Sequence, residues 1–389
     1  MTASENTIVR RVTPINLAIT FLGFLDTHML IPVIALYASS LGASLGSTGL
    51  IIGLYSITNT PANIIFGRLV DKFGSRRLLI FGLLGDSIGM FLYSLCRLPL
   101  HLSFVRAFHG ISGGLVGPAT LSVTAKQAHP TQKGRAMGYY GMSIGTATLV
   151  GYGLSSILVS VSGYNLVFYI GALLLLVGVI LALLMPGEMV SADISTEASR
   201  QKVLNKVSEL VRRRGLVASY SSIFALYFTF GGVVTLLPLH VKGLGMDAFH
   251  VGLLLATFSI TFILLQLTSG FLSDKTGRKA PASIGLCLCA VTMALLPASQ
   301  TFVTLVVVMV LYGAAYASIF PSTLALLADH TSTEEYGTAT GIFHALLTSG
   351  VAVGAPVIGW IAGQTTIGFG LIVSGLVAIL VMIVVLLKG

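Results

Sequence analysis

The stretches "GRLVDKFGSRR" (Gly67–Arg77) and "GFLSDKTGRK" (Gly270–Lys279) decide the fold. Each places an Asp four residues after its first Gly, a second Gly three residues on, and basic residues behind it. They stand 203 residues apart, and the same offset carries Asp71 to Asp274, Gly74 to Gly277, Pro118 to Pro321, Gly134 to Gly337 and Gly151 to Gly354. One fixed offset shared by positions this widely spread is the mark of an internal duplication, so the chain is built of two homologous halves.

The residues around the repeat are overwhelmingly apolar. Of 389 residues, 55% are hydrophobic and 9% charged, and the mean hydropathy is +0.94. A soluble domain carries about 25% charged residues, so there is too little charge here to cover a soluble surface. The composition points to an integral membrane protein. Twelve apolar segments reach the length of about 20 residues that a bilayer requires. They run over 13–41, 47–68, 77–97, 100–124, 136–162, 165–185, 215–239, 248–272, 280–298, 301–326, 338–362 and 366–387. The expected fold is therefore all-α, with two pseudo-symmetric bundles of six transmembrane helices. Residues 1–187 form the first, 188–214 a cytoplasmic linker and 215–389 the second. Parallel repeats of this kind point to a transporter with its site near the interface of the halves.

The net charge of +9 does not read as nucleic-acid binding. All Lys and Arg residues except Arg97, Arg106 and Lys242 fall at the termini or in alternate loops, which is the positive-inside pattern. It places both termini in the cytoplasm of a multi-pass protein of the cell (inner) membrane. Within the linker, "RQKVLNKVSELVRRR" (200–214) spaces its apolar residues as an amphipathic helix on the membrane surface. Cys96, Cys287 and Cys289 lie in apolar segments and read as small core residues. No spacing among His, Cys or acidic residues suggests a metal site. No phosphate-binding loop or nucleophile-elbow pattern suggests an enzyme, and no cofactor is expected.

On these residues the chain resembles the major facilitator superfamily. Gly67, Leu69, Asp71, Lys72, Gly74, Arg76 and Arg77 match its loop signature G-x-L-x-D-[RK]-x-G-[RS]-[RK]-[RK], and Gly270, Asp274, Gly277 and Arg278 match again in the second half. Within the superfamily it looks most like the twelve-span drug/proton antiporters, the tetracycline-exporter branch. Asp26 stands in segment 1 ahead of "LIPV", and Asp86 stands in segment 3. "RAFHGISGG" in segment 4 is similar to the R-x-x-Q-G motif, with His109 in place of its glutamine. "VGYG" in segment 5 departs from the branch, with Tyr152 where a proline is usual.

The resemblance implies alternating-access efflux of an amphipathic, drug-like compound in exchange for protons, by a protein functional as a monomer. The alternative is a uniporter or importer of a sugar or organic anion. Asp26 is the leading candidate for proton coupling or for pairing with a cationic substrate, since acids inside a membrane are functional by default. Its other reading is a carboxyl tied into packing. Arg106 is a permanent charge able to tune a carboxylate or hold an anion. His109 is a titrating group or a satisfied core histidine, as are His28 and His344. Asp86 is read equally as support or as part of a proton path.

By the same resemblance Asp71 faces the start of segment 11, and by the repeat Asp274 faces the start of segment 5 near Gly134 and Arg135. Together with Gly67, Gly74, Arg76, Arg77, Gly270, Gly277 and Arg278 they would form a cytoplasmic latch, with Gly67 and Gly270 permitting close backbone approach. Tyr37, Tyr139, Tyr152, Tyr227, Phe230, Tyr312, Tyr316 and Phe343 read as cavity-lining or lipid-facing aromatics.

Overall fold

A computed structural model describes residues 3–127, 133–185 and 206–388, which are almost wholly helical. The first half contains α1 (Ala3–Leu30), α2 (Ile34–Ser40), α3 (Leu45–Phe73), α4 (Ser75–Tyr93), α5 (Pro99–Gln127), α6 (Lys133–Ser162) and α7 (Tyr164–Leu183). The second contains α8 (Arg214–Gly243), α9 (Ala248–Thr276), α10 (Lys279–Leu295), α11 (Phe302–Asp329), α12 (Thr333–Gln364) and α13 (Ile367–Lys388). Segment 1 is divided between α1 and α2, which meet at 43°. Pro32 lies in the break, and it lacks the N–H that would continue the helix.

Among the described residues, eight helices are long and apolar enough to cross a bilayer, or nine when α1 and α2 count as one bent span. The remaining three expected segments are also helices but fall short for visible reasons. Arg76, Arg77 and Asp86 charge α4, the Gly, Ser and Thr residues of α5 dilute its apolar character, and α10 has only 17 residues. Large apolar side chains such as Phe81 (66% exposed) and Leu264 (68%) point outward, as helices solvated by lipid require.

The chain divides into two compact units, Met1–Tyr37 with Ile57–Ile194, and Ala38–Ser56 with Ser195–Gly389. Inside the first, α1 packs on α5, α6 and α7, and α4 packs on α5 and α7. Inside the second, α8 packs on α11, α12 and α13, and α10 packs on α11 and α13. The pairing is the same in both, as the duplication predicts. The early turns of α3 belong to the second unit because Gly49 lacks a side chain where it meets Gly359: a Cβ there would stand 3.0 Å from the Gly359 Cα.

The expected amphipathic helix of 200–214 is described only from Lys206. Residues 206–210 are helical and the chain then turns. Arg213, near its end, does not reach toward lipid headgroups. It donates to both carboxylate oxygens of Glu335 (2.8 and 3.0 Å), to Glu209 (2.8 Å) and to the His330 carbonyl (2.8 Å), fastening the chain to the start of α12.

Candidate functional site

Among the described residues, two carboxyls, one guanidinium and one imidazole lie buried in the helices of the first unit. Asp26 comes from α1, Asp86 from α4, and Arg106 and His109 from α5, each at most 3% exposed. Glycines bring these helices together. A Cβ on Gly85 would lie 2.6 Å from the Ser112 Cβ, and one on Gly89 would lie 3.3 Å from the His109 Cβ. The close seat of α4 on α5 thus depends on small residues. On α1, a Cβ at Gly23 would meet Val116 of α5 at 2.6 Å.

His109 stands at the centre of the set. Its Nε2 is 2.7 Å from Asp26 Oδ2 and 3.7 Å from Asp86 Oδ1. Its Nδ1 is 3.1 Å from the Tyr93 hydroxyl. The Ser112 hydroxyl donates to Asp86 Oδ1 at 2.5 Å, and the Thr27 hydroxyl lies 3.4 Å from Asp26 Oδ1. Arg106, one turn from His109, interacts with Tyr93. The three ligand-type atoms of Asp26, Asp86 and His109 lie within 4.8 Å of one another. Of the four residues expected to couple protons, Asp26, Asp86 and His109 meet in one place, and Arg106 joins them through Tyr93. The sequence reading missed Tyr93 and Ser112, which are uncharged and distant in the chain from Asp26.

A second hydrogen-bonded set occupies the equivalent place in the second unit. Moving 203 residues on from Asp26, Asp86 and His109 leads to Thr229, Cys289 and Tyr312. The Thr229 hydroxyl lies 3.2 Å from the Tyr312 hydroxyl and 3.3 Å from the Cys289 sulfur. The same three-helix junction is bridged in both halves, by two carboxyls and an imidazole in one and by a hydroxyl, a thiol and a phenol in the other. The repeat offset alone could have located this set. Around it lies an aromatic cluster centred on Tyr316, whose ring is 4.9 Å from Phe258, 5.2 Å from Tyr312, 5.9 Å from Tyr227 and 6.0 Å from Phe230 and Phe262.

The other sequence candidates are placed as follows. His28 is held by the Phe24 carbonyl, 2.6 Å from its Nδ1, and its ring stands 5.9 Å from that of Tyr152. Gly151 lets α6 approach α1 there, since a Cβ would lie 2.8 Å from the His28 Cβ. Tyr152 thus fills a space between helices rather than bending one. Tyr139 is exposed, and its hydroxyl accepts from Arg135. Phe343 is buried and packs edge-on against Phe320.

Of the expected latch, the Asp71 side chain and the surroundings of Gly134 lie outside what is described. Arg77 is exposed, and Arg76 donates to the Leu183 carbonyl at the end of α7 (2.6 Å). Asp274 pairs with Arg278, which also binds Asp329 at 3.0 Å. Among the described residues, a Cβ on Gly67 would meet Pro118 at 3.9 Å and one on Gly270 would meet nothing within 4 Å. The glycines the backbone requires are Gly74 and Gly277, whose φ angles of 82° and 83° turn the chain between α3 and α4 and between α9 and α10.

Comparison with known proteins agrees with the fold. An uncharacterized MFS-type transporter of Methanocaldococcus jannaschii is 27% identical over 349 residues, 88% of this chain and 89% of that protein. Multidrug resistance protein 2 of Bacillus subtilis is 24% identical over 368 residues, covering 92% and 90% of the two chains. Among solved structures, a bacterial homolog of the human lysosomal transporter Spinster, inward-facing and unoccupied, superposes with a TM-score of 0.84 at 13% identity, over 100% of this chain and 97% of that one. The profile of the Major Facilitator Superfamily matches residues 17–250 and again 220–388, once on each half of the duplication. The chain belongs to the Major Facilitator Superfamily, a multi-pass family of membrane transporters.

Proposed function

We propose that this protein is a proton-coupled secondary transporter of the cell membrane that exports amphipathic, cationic or neutral drug-like compounds as a monomer. The observation that carries the reading is the buried set of Asp26, Asp86, His109 and Arg106, matched in the other half by neutral Thr229, Cys289 and Tyr312. The neutral counterpart argues that packing at this junction does not need charge. Charged groups in a membrane helix cost about 2.5 to 3.5 kcal/mol each on insertion scales. Groups kept at that cost, on one side only, are suited to binding and releasing protons. Asp26 stands on α1 six residues ahead of Pro32, where the span bends, so a change in that bend would alter what the carboxyl faces. The apolar and aromatic interior of the second unit, with its cluster around Tyr316, supports an amphipathic, drug-like substrate. The similarity to a multidrug resistance protein supports the same class.

The test uses purified protein in proteoliposomes under an imposed pH gradient, with ethidium as the probe. The wild type should accumulate ethidium against its gradient, and Asp26→Asn should lose that accumulation while remaining folded. Accumulation by Asp26→Asn at the wild-type rate would remove Asp26 from the coupling path. Downhill movement alone by the wild type, with no accompanying proton flux, would replace antiport with uniport.

A further inference from the structure

We infer that His109 is a proton-transfer residue that joins Asp26 and Asp86 into one unit sharing a single proton. The inference takes its purpose from the proton-coupled reading above, but its test needs no transported compound.

The geometry sets the roles. One ring nitrogen, Nε2, serves both acids, 2.7 Å from Asp26 and 3.7 Å from Asp86. A nitrogen with one lone pair or one hydrogen bonds one carboxyl at a time, and a small tilt of the ring exchanges the short contact for the long one. The other nitrogen has its own partner, the Tyr93 hydroxyl at 3.1 Å. With the Nδ1 proton donated to that hydroxyl, Nε2 is left as the exchanging atom. Asp86 is steadied as acceptor by Ser112.

The transfer balances with one proton and no electrons. In the first step the O–H bond of protonated Asp26 breaks and Nε2–H forms, giving a carboxylate and an imidazolium. In the second, Nε2–H breaks and an O–H bond forms on Asp86, which returns the imidazole to neutrality.

Charge balance fixes the occupancy. The charged and titratable groups that interact around His109 are Asp26 from α1, Asp86 and Tyr93 from α4 and, through Tyr93, Arg106 of its own helix. Two carboxylates and one guanidinium sum to a single negative charge, and one added proton neutralises the set. In a buried site an uncompensated charge is expensive in either sense, so the unit favours one shared proton over none or two. A glutamine, the usual residue of the resembled motif at this position, can donate hydrogen bonds to two carboxylates but cannot carry a proton between them. Histidine does both.

The experiment is infrared difference spectroscopy of the substrate-free protein in lipid nanodiscs, titrated in pH. Ring-labelled histidine marks the imidazole bands, and subtraction of His109→Gln isolates those of His109. If the proton is shared, the His109 ring bands change over the same pH range as the band of the protonated aspartate. Either Asp26→Asn or Asp86→Asn should then diminish that band. In His109→Gln the carboxyl midpoint should move by at least about one pH unit, a tenfold change in proton affinity, as expected when coupled sites are separated. Tyr93→Phe, which leaves every proton carrier in place, should also move the midpoint. A merely structural bridge would leave His109 ring bands constant while the aspartate band titrates, or leave the midpoint unchanged in His109→Gln, and either result overturns the inference. If the variants do not fold, the ring-labelled wild type decides alone, by whether any histidine band follows the aspartate band. Absence of ethidium transport would count against the proposed function and leave this measurement standing.

Discussion

The two halves hold the same hydrogen-bond plan with different charge. Asn16 of α1 donates to the Thr120 carbonyl at 3.1 Å, and its counterpart Ser219 of α8 donates to the Thr323 carbonyl at 2.7 Å. Tyr37 reaches the Cys96 carbonyl (3.3 Å), and His240, in the place of Tyr37, lies 3.1 Å from the Ser299 carbonyl. Glycines with positive φ recur at Gly42 and Gly245. Bonds to the backbone have survived changes of side chain because the carbonyls they satisfy are fixed by the helices. The central junction differs in kind, with Asp, Asp and His in one half and Thr, Cys and Tyr in the other. Side chains bonded to one another can change together. The difference teaches that the first unit's charges are an addition to a scaffold that closes without them.

Exchange of the two sets is the strongest way to break that comparison. Asp26→Thr, Asp86→Cys, His109→Tyr and Arg106→Met (the last after Met309, its counterpart) together should give a first unit that inserts and folds, with proton-driven ethidium accumulation reduced to background. The reverse change should not be tolerated. Thr229→Asp would place a carboxyl between the neutral side chains of Cys289 and Tyr312, at a cost of roughly 3 kcal/mol. Thermal unfolding of the purified variants measures both. A Thr229→Asp protein as stable as the wild type would mean that this junction accepts an acid in either half, and the charge asymmetry would lose its meaning.

Much of this is legible from sequence because the signals are local. The 203-residue offset, the apolar segments and the intramembrane positions of Asp26, Asp86, Arg106 and His109 need only composition and spacing. Which of those four bridges the others is not legible. It depends on the rotation of α5 against α4, set by Gly85 and Gly89, whose role appears only when the facing side chains are known. Thr229, Cys289 and Tyr312 carry no charge and blend into their apolar segments. At the loops, Gly67 and Gly270 read as approach points because glycine serves two purposes, close contact and positive φ. The motif contains two glycines, and the structure assigns the conformational demand to the second.

That assignment predicts an effect of intermediate size, equal in the two halves. Gly74 (φ 82°, ψ 145°) and Gly277 (φ 83°, ψ 162°) lie close to a region open essentially to glycine alone. A Cβ added at Gly277 would meet nothing within 4 Å, so the penalty there is conformational rather than steric. Alanine at either site should cost about 1 to 3 kcal/mol of stability. Gly270→Ala, inside α9 and facing open space, should be neutral or stabilising by up to about 1 kcal/mol. Unfolding midpoints of the three variants would check the ordering. A Gly270→Ala loss as large as that of Gly277→Ala would return the tight contact to the first glycine of the motif.

The smallest expected effect reverses the charge comparison. At the start of α3 the Ser44 hydroxyl accepts from the Ser47 backbone N–H at 3.2 Å, and 203 residues on, at the start of α9, Asp247 accepts from the His250 N–H at 3.3 Å and from its ring at 2.6 Å. Here the first half is neutral and the second titrates. The His250 ring donating to Asp247 holds that carboxyl below its usual value. A carboxyl with a depressed folded-state pKa stabilises at pH above its unfolded value, and the contribution is lost as pH falls through the depressed one. The first turn of α9 should therefore loosen on acidification below about pH 4, while the first turn of α3 should not. Asp247 is 62% exposed, so solvent screens the pair and the change is local. Serine and aspartate are nearly equal as helix caps, so Asp247→Ser should alter stability at neutral pH by only a few tenths of a kcal/mol and abolish the acid response. Hydrogen exchange in the two first turns, corrected for the intrinsic pH dependence of exchange, separates these outcomes. An acid response that persists in Asp247→Ser would place its origin in another group of α9.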